Sequence, residues 1–421
     1  MKGIFKKLDS YINKARKIGT SKDYSSINFE LLDDNTLKTL YSADGIGKKI
    51  IDIKSKDMVR EWVEIEEDTD GQILDALNDI DAKSVFLKAL QLNKIFGGSI
   101  IYMLIDDGGK PEEELNINNI RSIKKIRAFA RNKFTIKAFD DLGEPIAFDI
   151  TKNDESLQVH ASRCLIFTGE LALDEFGVFT DMEYWGFSEY QGMFNILGKL
   201  GISIQSIFDM MIKSNIDILK KDGLWEKLQI NNKEGEAEID KMLDALDKSK
   251  SINNTILIDV LDEYTTNSQN FAGIEGLLSK MQEVLSLVSG IAITILWGSS
   301  SKGLNSTGDN DVRRYYDLIK NDQEIMMRNP LKYLIELLSF NKELKIKDGK
   351  YNFSFKSLWQ LSEKEEVEIK KITSETDQIY INNAILDPSE VRKARFGGDK
   401  YSSDILVKGD IEIMTEEPEE T

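Results

Sequence analysis

Phe187-Ser188-Glu189-Tyr190-Gln191-Gly192-Met193-Phe194-Asn195-Ile196-Leu197-Gly198-Lys199-Leu200-Gly201-Ile202-Ser203-Ile204-Gln205-Ser206-Ile207-Phe208-Asp209-Met210-Met211 is the stretch that decides the fold of this chain. Its apolar residues fall at Phe187, Tyr190, Met193, Phe194, Leu197, Leu200, Ile204, Ile207, Phe208 and Met211. Steps of three and four alternate throughout, which predicts one helix over residues 187–216. Such a helix is roughly 40 Å long, a rod or bundle element. Gly192, Gly198 and Gly201 weaken it intrinsically, and they either permit close helix packing or mark a kink. A second long helix is expected over 271–288, with Ile274, Leu277, Leu278, Met281, Val284, Leu285 and Val288 on its apolar side and Gly290 at its end. Between the two lies a polar stretch, Asn231-Asn232-Lys233-Glu234-Gly235, then a short helix over Glu236–Leu246 and a strand over Thr255–Val260. The middle of the chain reads as a small excursion between two long helices.

The sequence on either side is mixed. Helical spacing covers Asp44–Trp62 and Ala82–Phe96, and Gly97-Gly98 ends the latter. Ser99–Ile105 reads as a buried strand, Asp106-Asp107-Gly108-Gly109 as a turn, and further strands are expected at Ile123–Ala128, Thr135–Phe139, Ala147–Ile150 and Cys164–Thr168. This is an α+β unit. Beyond the second long helix comes a Gly/Ser/Asn loop from Trp297 to Gly308. Helices are expected over Asp309–Met327 and about Pro330–Leu338, and strands near Leu344 and over Tyr351–Phe355. Ser362 and Glu365 form a capping box for a final helical region, and Asp387-Pro388 starts one more helix. A basic arm begins the chain and an acidic stretch, Glu416-Glu417-Pro418-Glu419-Glu420, ends it.

Composition narrows the function. The 421 residues, 41% hydrophobic and 30% charged, suit two or three packed units. No apolar run approaches the ~18 to 20 residues that span a bilayer, and the basic start lacks the apolar segment of a signal peptide. A cytoplasmic protein with no membrane contact is expected. Cys164 is the only cysteine, so neither an intrachain disulfide nor a thiolate zinc site is available. The net charge of −18 does not suit a static DNA binder. It either confers solubility alone or keeps a passage for DNA slippery.

Catalytic signatures are sparse. There is no GxxxxGK[ST] loop; Gly45-Ile46-Gly47-Lys48-Lys49 lacks the spacing that wraps a phosphate. GxSxG and HExxH are absent. His160 is the only histidine. Two-histidine phosphoesterase chemistry needs a second motif, so His160 is read as a strand-end residue held by hydrogen bonds. The pairs Asp309/Asp311 and Asp106/Asp107 are better explained by a helix cap and a turn than by a metal. No cofactor or metal is expected. Lys302, Arg313 and Arg314 have two readings, contact with DNA phosphates or ordinary surface ion pairs.

Several segments, in order, resemble the phage portal proteins, in particular a prophage-associated branch. They are Leu40–Trp62, Phe96-Gly97-Gly98-Ser99-Ile100-Ile101, Val159–Phe167, Trp185-Gly186-Phe187-Ser188, Gly290–Gly298 with Gly303–Asp309 and Tyr315-Tyr316-Asp317, and Ser357–Glu365. The resemblance spans roughly residues 40 to 370 and implies a portal fold. Its parts are a basic arm (1–27), an α/β wing (28–186), stem helices (187–216 and 269–290) around a small α/β clip (217–268), a tunnel loop region (291–308), a tunnel helix with wing return (309–360), a short helical crown (361–410) and an acidic tail (411–421). It further implies a non-enzymatic homo-oligomeric ring of about twelve subunits at one capsid vertex of a virion, assembled in the bacterial host cytoplasm. Double-stranded DNA passes through such a ring in packaging and ejection. The implied protein partners are the terminase large subunit, a head-tail adaptor, scaffold and the major capsid protein. Tunnel-loop candidates are Ser299, Ser300, Ser301, Lys302, Asn305 and Ser306; tunnel-helix candidates are Arg313, Arg314, Tyr315 and Tyr316; clip contacts to terminase are sought at Asn231, Asn232, Lys233 and Glu234. Some members of this branch carry an appended two-histidine phosphoesterase that destroys cyclic-nucleotide defence signals. This chain ends near where that domain would begin and lacks its histidines, so the resemblance implies a portal rather than that enzyme.

Overall fold

A computed structural model of the protein describes residues 31–66, 68, 70–152, 155–169, 184–212, 215–220, 241, 263–268, 273–298, 309–341, 351–359 and 363–396. The expected strands at Thr255–Val260 and near Leu344, most of the helix at Glu236–Leu246, the cap at Ser362, the arm and the tail lie outside these residues. So do Ser299–Ser306 and Asn231–Glu234. The chain divides into two units, one ending at Lys356 and one beginning at Ser357.

The first unit opens with α1 (Asp34–Ala43) and α2 (Gly45–Arg60). Each starts on an aspartate: Asp33 Oδ1 accepts the backbone N–H groups of Asn35 and Thr36, and Asp44 Oδ1 those of Ile46 and Gly47. There follow β1 (Val63–Ile65), α3 (Gln72–Asp79) and α4 (Ala82–Phe96), and then six strands: β2 (Gly98–Asp106), β3 (Ser122–Ala130), β4 (Phe134–Phe139), β5 (Pro145–Lys152), β6 (Glu155–His160) and β7 (Cys164–Thr168). They form two antiparallel three-stranded sheets, ordered β3-β2-β7 and β4-β5-β6. The strand alternation is plain in β2. Ser99, Ile101 and Met103 face α4, where Ser99 Oγ donates to the Ala89 carbonyl at 2.8 Å. Ile100 faces the other way, into a core shared with Phe134, Phe148, Ile150, Val159, Cys164 and Trp185. The second sheet is thereby stacked on the first.

A backbone crossing explains two of the quoted sequence segments. Gly97 ends α4 in the left-handed region (φ 77°). Its carbonyl accepts the N–H groups of Gly169 at 2.9 Å and Gly186 at 3.0 Å. A Cβ on Gly97 would lie 2.0 Å from the Gly186 carbonyl oxygen, and one on Gly98 would lie 2.4 Å from the Trp185 ring. Phe96-Gly97-Gly98 and Trp185-Gly186-Phe187 are thus two halves of one contact. It delivers the chain to the root of the long helix.

That helix, α5, runs Tyr190–Ile212. It is shorter than the expected 187–216 because residue 215 already begins a strand. β8 (Asn215–Lys220) pairs antiparallel with β9 (Glu263–Ser268), so the two ends of the excursion lie side by side. α6 (Ile274–Ser289) packs along α5 and closes on Gly290 at φ 67°. A short helix, α7 (Ile293–Trp297), lies in the tunnel loop region implied over 291–308, ahead of the loop expected from Trp297. The two helices expected after the loop are continuous. α8 (Asp309–Asp322) passes through a π-helical turn, Gln323–Met327, into α9 (Arg328–Ser339). Two features accompany this turn. Pro330 has no N–H to give to the preceding turn, and a wider π turn tolerates that lack. The buried Gln323 side chain also turns aside to donate to the Met58 carbonyl of α2 at 2.7 Å. β10 (Phe353–Phe355) returns to pair with β1, Val63 opposite Phe355.

In the second unit, α10 (Glu363–Asn382) and α11 (Pro388–Phe396) are joined by a buried two-pronged ion pair, Arg395 to Asp377, both bonds at 2.7 Å. The Asp387 N–H donates to the Glu390 carboxylate, closing the start of α11. Val367, Ile372, Ile379, Ile385 and Phe396 remain exposed. Among the described residues no helix is long and apolar enough to cross a membrane.

Candidate functional site

The candidate site is built on α2, which holds the helices that flank residues 299–308. On the near side, Lys49 Nζ donates to the Leu296 carbonyl of α7 at 2.5 Å. Trp297 Nε1 donates to Ser286 Oγ of α6 at 3.2 Å, and Gly298 turns the chain out at φ 70°. On the far side, the Tyr315 hydroxyl of α8 donates to Asp57 Oδ2 at 2.8 Å. Asp57 Oδ1 is held by Arg60 at 2.9 Å, and the Arg60 guanidinium lies 5.3 Å from the Tyr316 ring centroid. Lys49 and Asp57 are two turns apart on one helix, about 12 Å. The elements on the two sides of residues 299–308 are therefore held by neighbouring points of one helix.

The four tunnel-helix candidates separate by face. Arg313 and Arg314 are exposed. Tyr315 is only 2% exposed, so it is an anchor and not a side chain that meets a ligand. Burial, reinforced by the Asp57 carboxylate, pushes its hydroxyl far above the usual tyrosine range. Tyr316 is half-buried under Arg60. The helical period accounts for this: residues 315, 319 and 323 face α2 and residues 313, 314 and 317 point away. In the sequence Lys49 and Asp57 stood only within the Leu40–Trp62 segment, with no role assigned to either, and Gln323 was not singled out. Their signal is weak, because a polar residue on a helix is ordinarily a solvated one.

A second polar cluster lies behind the anchors. Glu189, the residue before α5, is paired with Lys54 of α2 and, at 3.0 Å, with Lys94 of α4. Asp322, the last residue of α8, adds a second negative charge close enough to be felt by both lysines. Burial pushes the Glu189 carboxyl up, but Lys94 and Lys54 outweigh it and hold it down at about 2. The cluster ties the root of the long helix to α2, α4 and α8.

The other polar candidates have structural partners. His160 ends β6, its Nδ1 2.9 Å from Ser162 Oγ and accepting the Ser162 N–H at 3.2 Å. Asp107 lies in the turn and accepts from Arg163 at 2.8 Å, Asn116 N–H at 3.0 Å and Gly109 N–H at 3.1 Å. Burial alone would raise its carboxyl, yet these donors hold it below the usual range. Asp106 pairs with Lys124 at 3.1 Å. Among the described residues no group of three or more His, Cys, Asp or Glu side chains is placed to hold a metal. Cys164 is buried, and burial pushes its thiol well above the usual range. We expect no reaction of native protein with a thiol reagent at neutral pH and stoichiometric reaction after unfolding; labelling of the native state would show that this core opens.

Two stacked three-stranded sheets, a pair of long packed helices and a helix with a π-helical turn make up this fold. The fold is shared with a chain in the neck of a native gene transfer agent particle, at a TM-score of 0.54 and 12% identity over 85% of this chain and 91% of that one. A chain in the neck of an empty particle gives 0.54 and 13% over 90% and 96%. The model of the phage portal protein family matches residues 35–379, and the chain belongs to that family. Related sequences include an uncharacterised protein of Haemophilus influenzae, 25% identical over 91% of this chain and 88% of its own length. Two others carry the name anti-CBASS protein Acb1. The one from Sphingomonas paeninsulae is 26% identical over 90% of this chain, and the one from Caulobacter sp. strain RHG1 is 25% identical over 87%. This chain spans only 63% and 62% of their lengths.

Proposed function

We propose that copies of this chain assemble into a ring around a DNA channel at the portal vertex of a phage-like particle, with no catalytic step of their own. The observation that carries this reading is a bare apolar surface on the helical hairpin. α6 turns Leu285 inward but leaves Leu277, Val284, Leu287 and Val288 exposed, and α5 leaves Phe208, Met210 and Met211 exposed at its far end. An apolar surface left bare on the chain suits packing against neighbouring identical subunits, and a repeated head-to-tail contact closes into a ring. Membership of the portal family and the symmetric neck particles that share the fold support the same reading. Arg313 and Arg314, beside residues 299–308, would then meet DNA phosphates transiently, within walls whose overall acidity limits sticking. Residues 217–268 would form the clip that meets the terminase, and residues 361–410 the crown.

The test is negative-stain microscopy with mass photometry of the purified protein. Rings with a central hole are expected. Leu287, 80% exposed, buries little surface within the single subunit. Leu287→Glu is therefore expected to leave the melting of the subunit unchanged and to shift mass from rings to monomers and small oligomers. Unchanged rings in that variant would move the subunit interface elsewhere. The name of the two longer relatives raises a second reading, action on a cyclic-nucleotide defence signal. With one histidine, tied to Ser162, this chain offers no acid–base pair of the two-histidine kind. Turnover of cyclic dinucleotides by purified protein would overturn the non-catalytic reading.

A further inference from the structure

From Arg121 to Lys137 the chain carries seven basic residues and no acidic one, in a protein of net charge −18. The structure arranges several of these on a surface. β3 is an edge strand of its sheet. Ile126, Ala128 and Ala130 face α4, so Lys125, Arg127 and Phe129 face the opposite way. The register sets them beside Leu104, Tyr102 and Ile100 of β2. The second sheet covers the Ile100 and Phe129 end of this face. Lys125, Arg127 and Leu104 are exposed beyond its margin. The Arg127 guanidinium lies 5.3 Å from the Phe129 ring centroid, which restrains its direction. Arg121 is exposed just before the strand.

We propose that this face is a second DNA-binding surface, outside the channel, that holds the phosphodiester backbone of a duplex without reading sequence. Lys125 and Arg127 stand on this face about 6.8 Å apart. A charged edge strand with a bulge also prevents sheets from pairing edge to edge. That explains Lys124, the extra residue at the bulge between Leu104 and Ile105, already paired with Asp106. It does not explain Arg127, which stands on the face and not at the free edge, held over an aromatic ring. A peptide adding a strand would use the free edge. A stiff rod of regular negative charge would use the face.

Covalently closed circular duplex DNA tests this, because a closed circle cannot thread an assembled ring. Filter binding of such DNA is followed across a salt series with the full-length protein. The native protein is expected to bind at low salt. Lys125→Gln with Arg127→Gln is expected to weaken binding about tenfold or more and to lower the slope of log affinity against log salt by about two, one for each lost phosphate contact. Arg127→Lys is expected to keep the slope. Lys125→Gln alone, an exposed change, carries the test with a slope lower by about one if the double variant folds poorly. Unchanged binding of closed circles in these variants overturns the proposal. Loss of poly-glutamate binding with DNA binding intact overturns it in favour of an acidic protein partner. Ring assembly, scored by microscopy on the same samples, stays intact in every arm, so failure here is distinct from failure of the ring.

Discussion

Gly97→Ala is expected to destabilise the first unit by about 4–5 kcal/mol, enough to remove most of the soluble protein. Several terms add. A β-carbon at φ 77° costs roughly 1–2 kcal/mol for an L residue. That carbon would sit 2.0 Å from the Gly186 oxygen, which is backbone and cannot rotate away. Separating the strands of the crossing breaks the two hydrogen bonds accepted by the Gly97 carbonyl, about 1 kcal/mol each. It also lifts Trp185 from Phe134, whose rings meet edge to face at 5.3 Å. Denaturant unfolding of the variant measures the sum. A loss below about 1 kcal/mol would mean that the crossing opens easily and does not fix the root of α5. Ala at Gly192 or Gly201 provides the contrast, since a Cβ there meets nothing within 4 Å.

Glu189→Ala is expected to cost about 3–5 kcal/mol, because it leaves Lys54 and Lys94 facing each other without their shared carboxylate. The same residue gives the protein an acid-sensitive component. Its folded pKa is about 2 against an ordinary 4.5, so its stabilisation is complete above 4.5 and is lost as pH falls toward 2. Asp322 acts in the opposite sense. Burial, with the Glu189 charge adding to it and both lysines opposing, holds Asp322 above its ordinary value. Its share therefore grows as pH falls, and a wild-type profile alone mixes the two. Melting curves of the native protein and of Glu189→Gln, taken from neutral pH downward, separate them. The gap between the two proteins is expected to be constant at neutral pH and to close below 4.5. A gap that is flat with pH would show that Glu189 is not the charged partner of the two lysines.

The helices and strands were largely legible. α2, α4, α6 and α8 fall within a few residues of where 3.6-residue periodicity placed them, and β2 to β5 and β7 follow period-two runs bounded by turn residues. The misses have local causes. α3 spans only eight residues, β6 has apolar residues only at Leu157 and Val159, and α7 is a single apolar turn indistinguishable from a loop by period. The helix expected to 216 stopped at Ile212 because Ile216 and Ile218 fit a strand as well as a helix face, and only pairing with β9 decides between them.

The candidate site was legible as a set of residues and not as an arrangement. Arg313-Arg314-Tyr315-Tyr316 stands out in any reading, yet exposure of the first two and burial of the third depend on which side of α8 meets Asp57. By itself the sequence determined the element types, the left-handed glycines at 97 and 290, the single histidine and cysteine, the acidic balance and the family order of motifs, because each is a local or countable property. The tertiary structure alone decided that Gly97 meets Gly186, that Glu189 joins two lysines from different helices, that Tyr315 is an anchor, and that the cations of β3 share a face. Those are pairings between residues far apart in the chain, and local periodicity carries no information about which distant surface will close on which.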